Sequence, residues 1–242
     1  MTVFLSIIVP AHNEESRLTD TLSQLRDFCE SQPFSTEIII AENASVDNTL
    51  VIAKDFANRY PGFVVLHDDR PGKGLAIQAG MLAAQGEYRF ICDADLSMPV
   101  KEITRFLPPA LEGVDIAIAS REAPGAVRYN EPAMRHFVGR VFNNLVRLII
   151  LPGLQDTQCG FKCFTQKAAE TLFPLQTVTG WTFDVEILAI AQRLGFKIVE
   201  VPIPWYYFGN SKVRVLKDSM KMALDLLRIR RDLDKRKFQP LK

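Results

Sequence analysis

FLSIIVPAHNEE, at residues 4–15, sets a pattern that the first half of the chain repeats. A short apolar run rich in β-branched residues leads directly into polar and acidic residues. Leu18, Leu22 and Leu25 then follow at the spacing of one helix face. Apolar runs of this kind are typical of buried parallel strands. The stretch therefore predicts the first strand–helix unit of an α/β protein.

The same alternation continues as far as Ser120. It predicts further strands at Glu37–Ala41, Phe63–His67, Tyr88–Cys92 and Asp115–Ser120, with helices between them. Five strands interleaved with helices predict a Rossmann-like, doubly wound, mostly parallel sheet with helices on both faces.

The second half is less regular. Since Pro202 and Pro204 cannot donate to a central ladder, the last strand is expected at a sheet edge. We predict a main domain over residues 1–211 and a basic amphipathic segment over residues 212–242. The predicted elements are helices at Lys101–Leu111, Ala133–Ile150, Gln166–Phe173, Trp181–Leu194 and Lys212–Lys237, a loop at 122–132, and strands at Gly160–Phe164 and Ile198–Trp205.

The composition is that of a globular protein. Of the 242 residues, 48% are hydrophobic and 24% are charged, which suffices for a core and argues against disorder. No run approaches the ~20 apolar residues of a spanning helix, and the start lacks the basic region of a signal peptide. The four cysteines form no CxxC pair, so we expect reduced thiols and a cytoplasmic location.

Polar residues follow every predicted strand of the first half. The carboxyl ends of parallel strands meet at one edge, where open α/β sheets bind their ligands. Neither GxGxxG nor GxxxxGKS/T follows these strands, which argues against a dinucleotide oxidoreductase and a P-loop enzyme. The residues expected at this edge are Pro10, Ala11, Asn13, Glu14, Glu42, Asn43, Lys73, Asp93, Asp95, Ser120 and Arg121.

Two short motifs at this edge suit a metal and a diphosphate. Asp93 and Asp95 can share one hard cation such as Mg²⁺ or Mn²⁺, whose remaining ligands are water and phosphate. Gly72-Lys73-Gly74 opens a helix, and a helix N-terminus with a lysine favours a diphosphate. The alternatives are a polar turn for the first motif and a glycine turn with a solvated lysine for the second.

Several ordered motifs resemble glycosyltransferase family 2, the inverting nucleotide-sugar transferases. The resemblance is closest to the polyprenyl- and dolichyl-phosphate hexosyltransferase branch, and within it to the glucosyl enzymes. It covers nearly the whole chain. The motifs are IIVPAHNEE (7–15), AENASVDNT (41–49), GKGLAIQAG (72–80), DADLS (93–97), SR (120–121), DTQCGFKCF (156–164), WTFDVEILAIAQRLG (181–195) and GNSK (209–212).

The resemblance implies a role for each matching residue, with residues 1–211 as the catalytic domain. The donor is then a nucleotide-sugar, UDP-glucose being favoured over GDP-mannose, and the acceptor a polyprenyl or dolichyl monophosphate. Ser97 and Gly139 stand where relatives often have glutamine and serine. The implied donor pocket is Pro10, Ala11, Asn13, Glu14, Glu42, Asn43, Lys73 and Asp93; the metal pair is Asp93 and Asp95; the acceptor-phosphate set is Ser120, Arg121, Arg135, Ser211 and Lys212.

A phosphate acceptor changes what catalysis requires. Its second pKa is about 6, so it is largely ionised at pH 7 and needs no strong general base. The catalytic set is then Asp95 and Arg121, with Asp184 as a further candidate. Asp184 and Glu186 are either general bases or braces for the arginine cluster, and we favour bracing. The amide of Asn43 could face the edge of uracil or guanine.

The basic C-terminal segment predicts contact with a membrane. Residues 210–242 carry eleven Lys and Arg residues and four Asp residues. The predicted helix has two apolar stripes. The first is expected to pack on the sheet and the second to meet the cytoplasmic face of a membrane, with a dimer or core contact as the alternative. The stripes are Leu216, Met220, Ala223, Leu224 and Leu227, and then Met222, Leu226, Ile229 and Leu233.

Other functions remain open at the level of the sequence. A family-2 transferase acting on a soluble acceptor predicts activity without lipid, and a non-catalytic nucleotide-sugar-binding scaffold predicts none. A nucleotidyltransferase is disfavoured because residues 10–15 are acidic rather than glycine-rich and basic. Nucleic-acid binding is not expected, since the body of the chain is net acidic. The sequence predicts no oligomeric state.

Overall fold

A computed structural model describes residues 2–209, 215–236 and 238, and for residues 215–221 only the backbone. Nine strands form two sheets. Their bounds are β1 (Leu5–Ala11), β2 (Thr36–Asn43), β3 (Phe63–Asp68), β4 (Tyr88–Ile91), β5 (Ile116–Ser120), β6 (Val127–Tyr129), β7 (Lys162–Thr165), β8 (Ile198–Pro202) and β9 (Pro204–Tyr206).

Seven α-helices and two short 3₁₀ helices connect or follow these strands. The helices are α1 (Leu18–Glu30), α2 (Thr49–Arg59), α3 (Lys73–Ala83), α4 (Ala133–Ile149), α5 (Gln166–Leu172), α6 (Phe183–Leu194) and α7 (Val215–Lys235), with 3₁₀ turns at Val100–Phe106 and Phe173–Leu175. The predicted helix at Lys101–Leu111 is therefore a shorter 3₁₀ segment.

The large sheet has the order β3-β2-β1-β4-β7-β5-β8. All its pairings are parallel except those of β7, which is antiparallel to both β4 and β5. The strand order reverses at β1, which pairs with β2 on one side and β4 on the other. The predicted Rossmann-like, mostly parallel sheet is confirmed, and its topological switch point lies between β1 and β4.

The last predicted strand divides into two. β8 lies at the edge of the large sheet, as expected, and β9 pairs instead with β6 inside the stretch predicted as a loop. Pro202 and Pro204 flank the division, and neither has an N–H to continue a ladder. The small sheet that results lies against the end of β5, because Ile203 N donates to Ser120 O at 3.4 Å and Val127 N of β6 donates to Ile203 O at 3.1 Å.

Hydrophobic side chains cover both faces of the large sheet. Leu18, Leu22 and Leu25 of α1 pack on one face with Phe56 of α2. Helices α3 to α7 cover the other face. The four cysteines are free thiols, as predicted. Each face is therefore closed by amphipathic helices, which leaves the carboxyl edge of the strands as the place for a site.

Helix α7 packs into the core through the stripe that was expected to meet a membrane. Met222, Leu226, Ile229 and Leu233 are all buried in the cluster formed with α4 and α6. That expectation is wrong, because spacing alone gives α7 two equivalent apolar stripes and tertiary packing selects one. Leu224 and Leu227 of the other stripe are exposed. Within the described part of the chain, no helix is long and apolar enough to cross a bilayer.

Candidate active site

A cavity of 810 Å³ opens at the carboxyl ends of β1 and β4 and extends to α4 and α7. It lies at the switch point where an open α/β sheet binds its ligand. Most of the residues predicted for the site line it. These are Pro10, Ala11, Glu14, Asn43, Lys73, Asp93, Asp95, Arg121, Arg135 and Asp184, together with Ser97 and Gly139.

Lys73 and Asp93 form an ion pair at the centre of the cavity. Lys73 Nζ lies 2.7 Å from Asp93 Oδ1 and 5.3 Å from the centre of the Trp181 ring. Burial acts to lower the pKa of Lys73, but the charges of Asp93 and Asp184 outweigh it and raise that pKa. Lys73 is therefore a fixed cation at the end of β4, at the N-terminus of α3.

The loop that carries Lys73 is packed too closely for side chains larger than hydrogen. Gly72 has φ +152°, and a Cβ there would lie 2.5 Å from the carbonyl oxygen of Thr179. A Cβ on Gly160 would overlap the Asp93 carboxylate. Gly72 and Gly160 thus allow the neighbouring loops to approach closely enough to hold Lys73 and Asp93 against each other.

Asp93 and Asp95 fit a divalent cation whose remaining ligands come from other groups, such as a phosphate. Asp95 Oδ1 accepts a hydrogen bond from Ser97 N at 3.0 Å, which orients that carboxylate beside Asp93. Across the residues that the structure describes, no group of three or more His, Cys, Asp or Glu side chains could hold a metal alone. Two hard oxygen donors suit Mg²⁺ or Mn²⁺ when a phosphate supplies further ligands.

Asn43 holds one wall of the cavity by its side chain. Its Nδ2 donates to Arg70 O at 3.1 Å and Gly72 O at 2.9 Å, so both amide hydrogens are used within the protein. His12 Nδ1 donates to the Asn43 carbonyl at 2.6 Å. The predicted contact of the Asn43 amide with uracil or guanine would therefore have to use its oxygen, and it stays a prediction.

Asn13 and Glu42 lie behind the pocket rather than in its wall. Asn13 Oδ1 accepts from Val46 N at 2.8 Å and so joins the loops after β1 and β2. The buried Glu42 carboxylate accepts from Ser45 N at 2.9 Å and lies 2.5 Å from His67 Nδ1. This hydrogen bond and the nearby negative charge raise the pKa of His67. Both residues act on the donor pocket through its loops.

Arg121 is fixed by a buried carboxylate at the other side of the cavity. Asp156 Oδ2 lies 2.7 Å from Arg121 Nε, and Asp156 Oδ1 lies 2.9 Å from Nη2. Burial tends to raise the pKa of Asp156, but Arg121 outweighs it and lowers that pKa to about 2. Ser120 is buried next to this pair, and its hydroxyl accepts from Ala123 N at 3.0 Å, away from the cavity wall.

Two further arginines line the same side. Arg128, from β6, makes ion pairs with Glu122 at 2.6 Å and Glu131 at 2.5 Å. Arg135, from α4, lies over the ring of Tyr207 and 3.9 Å from Glu131. Arg135 has the loosest carboxylate contact of the three and is the cation best able to meet an incoming anion.

Asp184 and Glu186 separate into different roles at the start of α6. Asp184 Oδ2 lies 3.2 Å from Lys162 Nζ, and its Oδ1 has no hydrogen-bond partner in the described chain. Burial raises the pKa of Asp184 despite Lys162 and Lys73. Glu186 accepts from Thr177 N and Val178 N, both at 2.8 Å. In the described residues neither carboxylate contacts Arg121 or Arg135, so the favoured bracing of the arginine cluster is not seen: Asp184 pairs with Lys162, and Glu186 holds the 177–178 loop.

Sequence reasoning missed Arg128, Asp156 and Lys162 as members of the site. Arg128 lies in a stretch that was predicted as a loop, so the sequence did not indicate that its side chain would face the cavity. Asp156 and Lys162 lie within DTQCGFKCF, where two charges of opposite sign in an otherwise uncharged motif were the available signal. Ser211 and Lys212 lie outside the described residues.

Comparison with known proteins agrees with the geometry. Residues 6–173 match the profile of glycosyl transferase family 2. A dolichyl-phosphate beta-glucosyltransferase of Trichomonas vaginalis is 36% identical, over 94% of this chain and 71% of the relative. One of Dictyostelium discoideum is 34% identical, over 94% of this chain and 74% of the relative.

A solved structure shares the fold. Glucosyl-3-phosphoglycerate synthase from Mycobacterium tuberculosis, in complex with Mn²⁺, uridine-diphosphate and glucosyl-3-phosphoglycerate, superimposes with a TM-score of 0.69. The match covers 94% of this chain and 80% of that chain at 19% sequence identity. Identity at that level supports a shared architecture and leaves the chemistry to the residues of the cavity.

Proposed function

The chain belongs to glycosyl transferase family 2, and from that premise we propose that it transfers glucose from UDP-glucose to a dolichyl or related polyprenyl monophosphate. The proposal rests on relatives named dolichyl-phosphate beta-glucosyltransferase that span most of the chain. One observation in the structure carries it: a single cavity is lined both by Asp93, Asp95 and Lys73 and by Arg121 and Arg135.

The two sides of the cavity suit the two phosphates of such a reaction. An oxygen of the acceptor phosphate bonds to the anomeric carbon while the bond from that carbon to the nucleoside diphosphate breaks. The diphosphate leaves with the bonding electrons, and attack from the opposite side inverts the anomeric centre. Lys73 offsets the charge of the leaving group, and Arg135 and Arg121 orient the incoming phosphate.

The carboxylates Asp93 and Asp95 are the residues that would hold a divalent cation. When bound, Mg²⁺ or Mn²⁺ supplies Lewis-acid neutralisation of the diphosphate. Ser97 N fixes the Asp95 carboxylate in its orientation, and Lys73 neutralises Asp93. The donor side thus keeps two acidic ligands close together in a partly buried site, which like-charge repulsion would otherwise oppose.

Asp184 distinguishes a phosphate acceptor from a hydroxyl acceptor. A sugar or glycerol hydroxyl must lose a proton to attack, and Asp184, with its raised pKa and an oxygen that has no hydrogen-bond partner in the described chain, is one candidate base among the carboxylates of this cavity. A phosphate acceptor is already ionised. We therefore assign Asp184 a positioning role beside Lys162 and Lys73, and expect Asp184→Asn to keep a substantial fraction of kcat.

A lipid-linked acceptor implies action at a membrane surface, and we place the protein at the cytoplasmic face as a peripheral enzyme. The acceptor phosphate lies in the headgroup region, so the cavity must approach the bilayer closely. The basic C-terminal segment adds electrostatic attraction to anionic lipid.

The deciding experiment offers the purified protein a matrix of substrates. UDP-glucose and GDP-mannose are each supplied with a polyprenyl monophosphate, with glycerol phosphate, or without acceptor, and each mixture is run with Mg²⁺, Mn²⁺ or EDTA. We expect glucosyl transfer to the prenyl phosphate, lost in EDTA. Transfer only from GDP-mannose would reassign the donor. Transfer only to glycerol phosphate would reassign the acceptor, and donor binding without transfer would indicate a scaffold.

A further inference from the structure

Helix α4 exposes an apolar stripe along its whole length. Met134, Phe137 and Leu148 are 73%, 64% and 82% exposed, and Val141 and Leu145 are 45% and 37% exposed. Their spacings of three and four residues place all five on one face of the helix. Large apolar side chains are normally scattered singly on the surface of a soluble protein, so a continuous row of them indicates an interaction site.

The exposed stripe is distinct from the face by which α4 packs. Phe142 and Val146 are buried in the core, and Arg135, Val138 and Gly139 line the cavity. At about 100° per residue, Val138 lies next to the exposed stripe, between that stripe and the buried face. The helix therefore carries the wall of the cavity and an unpartnered apolar face side by side.

The charge on α4 indicates which partner the stripe fits. The helix contains Arg135, Arg140 and Arg147 and no acidic residue. Arg140 and Arg147 are exposed, on the flank of the stripe away from the cavity, and neither makes an ion pair in the described part of the chain. An apolar face bordered by cations is complementary to the surface of an anionic bilayer.

We propose that the exposed stripe of α4 is the surface by which this protein docks on an anionic membrane. The proposal rests on the proposed function, because a lipid-linked acceptor requires the cavity to reach the bilayer. Phe137, Leu148 and their neighbours enter the region between headgroups and acyl chains, and Arg140 and Arg147 contact lipid phosphates. Arg135, on the adjoining face of α4, then lies close to the headgroup region that contains the acceptor phosphate.

A second copy of the chain fits the stripe less well than a membrane does. A two-fold contact through α4 would bring the arginine rows of both copies together, with no carboxylate of that helix between them. The membrane supplies the opposite charge that a second α4 lacks. Self-association through this face is therefore expected to be weak, and sedimentation of the wild type and the α4 variant would detect it.

The test compares two matched double variants of the whole chain. Phe137→Ser with Leu148→Ser alters the α4 stripe, and Leu224→Ser with Leu227→Ser alters exposed leucines of α7. Each protein is floated with vesicles of phosphatidylcholine alone or with phosphatidylserine, at two salt concentrations. We expect the α4 variant to lose at least about tenfold in vesicle partitioning with an unchanged melting temperature, and the α7 variant to match the wild type.

Two further measurements keep this proposal separate from the enzymatic one. Charge removal by Arg140→Gln with Arg147→Gln should reduce binding only to vesicles that contain phosphatidylserine. Transfer to a short, water-soluble prenyl phosphate should be unchanged in the α4 variant. Unchanged flotation of the α4 variant, or wild-type dimers in sedimentation that this variant dissociates, would overturn the docking site. If the wild type floats with vesicles but transfers sugar neither to the short prenyl phosphate nor to the long polyprenyl monophosphate, the proposed enzymatic function is overturned and the docking site is not.

Discussion

The two sides of the cavity handle charge in opposite ways. On the donor side, Asp93 and Asp95 follow one strand end and, in the described residues, only Asp93 pairs with Lys73, so the site keeps an excess of negative charge for a cation. On the acceptor side, Arg121 and Arg128 are each tied to carboxylates within 3 Å. Of these three arginines, Arg135 has the longest ion contact, at 3.9 Å. Under the proposed function, the donor side gains a metal ion and a diphosphate, whereas the acceptor side has most of its ion pairs already in place.

Removing a charge from the donor side should have the largest effect on catalysis. Asp95→Asn preserves shape and hydrogen-bonding capacity but removes one metal-binding charge, so kcat should decrease by about 10³-fold. The melting temperature should change little, because Asp95 has no cationic partner at ion-pair distance in the described residues. Steady-state transfer rates and thermal melts measure the two effects.

The control for this variant is Asp69→Asn, at an exposed carboxylate after β3. It should retain activity close to that of the wild type. If Asp95→Asn keeps full, EDTA-insensitive activity, the donor side does not act through a metal ion, and the contrast between the two sides fails.

Removing a charge from the acceptor side should instead affect stability. Asp156→Asn leaves the guanidinium of Arg121 inside the protein without its counter-charge, which costs about 3–5 kcal/mol in the free energy of unfolding. The side chain of Asp156 is fully buried in this pair. Urea titration measures the loss. The matched variant Asp234→Asn breaks the exposed pair with Arg193 and should cost less than about 1 kcal/mol.

Arg135→Ala tests whether the arginine with the longest carboxylate contact is the one that binds the acceptor phosphate. We expect kcat/KM for the prenyl phosphate to decrease by about 10- to 100-fold, as for the loss of a charge-assisted contact. Affinity for the nucleotide-sugar, measured by calorimetry, should be unchanged. Arg105→Ala, on the 3₁₀ segment remote from the cavity, is the control. Loss of donor affinity in Arg135→Ala would mean that the two sides of the cavity have been assigned in reverse.

The two sides also differ in how far the sequence predicts them. The donor side can be predicted from the ends of strands and helices. Asp93 comes just after β4 and Lys73 is the first residue of α3, and both elements have a clear hydrophobic pattern. The acceptor side depends on pairs distant in sequence, such as Arg121 with Asp156, 35 residues apart. It also depends on the antiparallel insertion of β7, which hydrophobic periodicity cannot reveal. The stripes of α7 show the same limit, since either stripe could have packed inward.

The smallest expected effect concerns pH, and it again separates the two sides. His67 supports the donor loops through Glu42, and its pKa is raised by that hydrogen bond and charge. The protonated imidazole is therefore favoured in the folded state. Its stabilising contribution is complete below the unfolded pKa of about 6.5 and is lost as the pH rises through the raised value. Asp156 behaves oppositely: its contribution is complete above its usual pKa and is lost as the pH falls toward about 2.

His67→Gln should therefore lower the melting temperature at pH 5.5 more than at pH 8.5. Since 38% of the His67 side chain is exposed, solvent screens the pair, and the difference should be no more than about 2 °C. Melts of the wild type and the variant across this range measure it, with Asp156→Asn as the counterpart whose deficit is constant over the same interval. A His67→Gln deficit that is the same at pH 5.5 and pH 8.5 would show that the imidazolium adds nothing to these loops, and that Glu42 is held chiefly by Ser45 N.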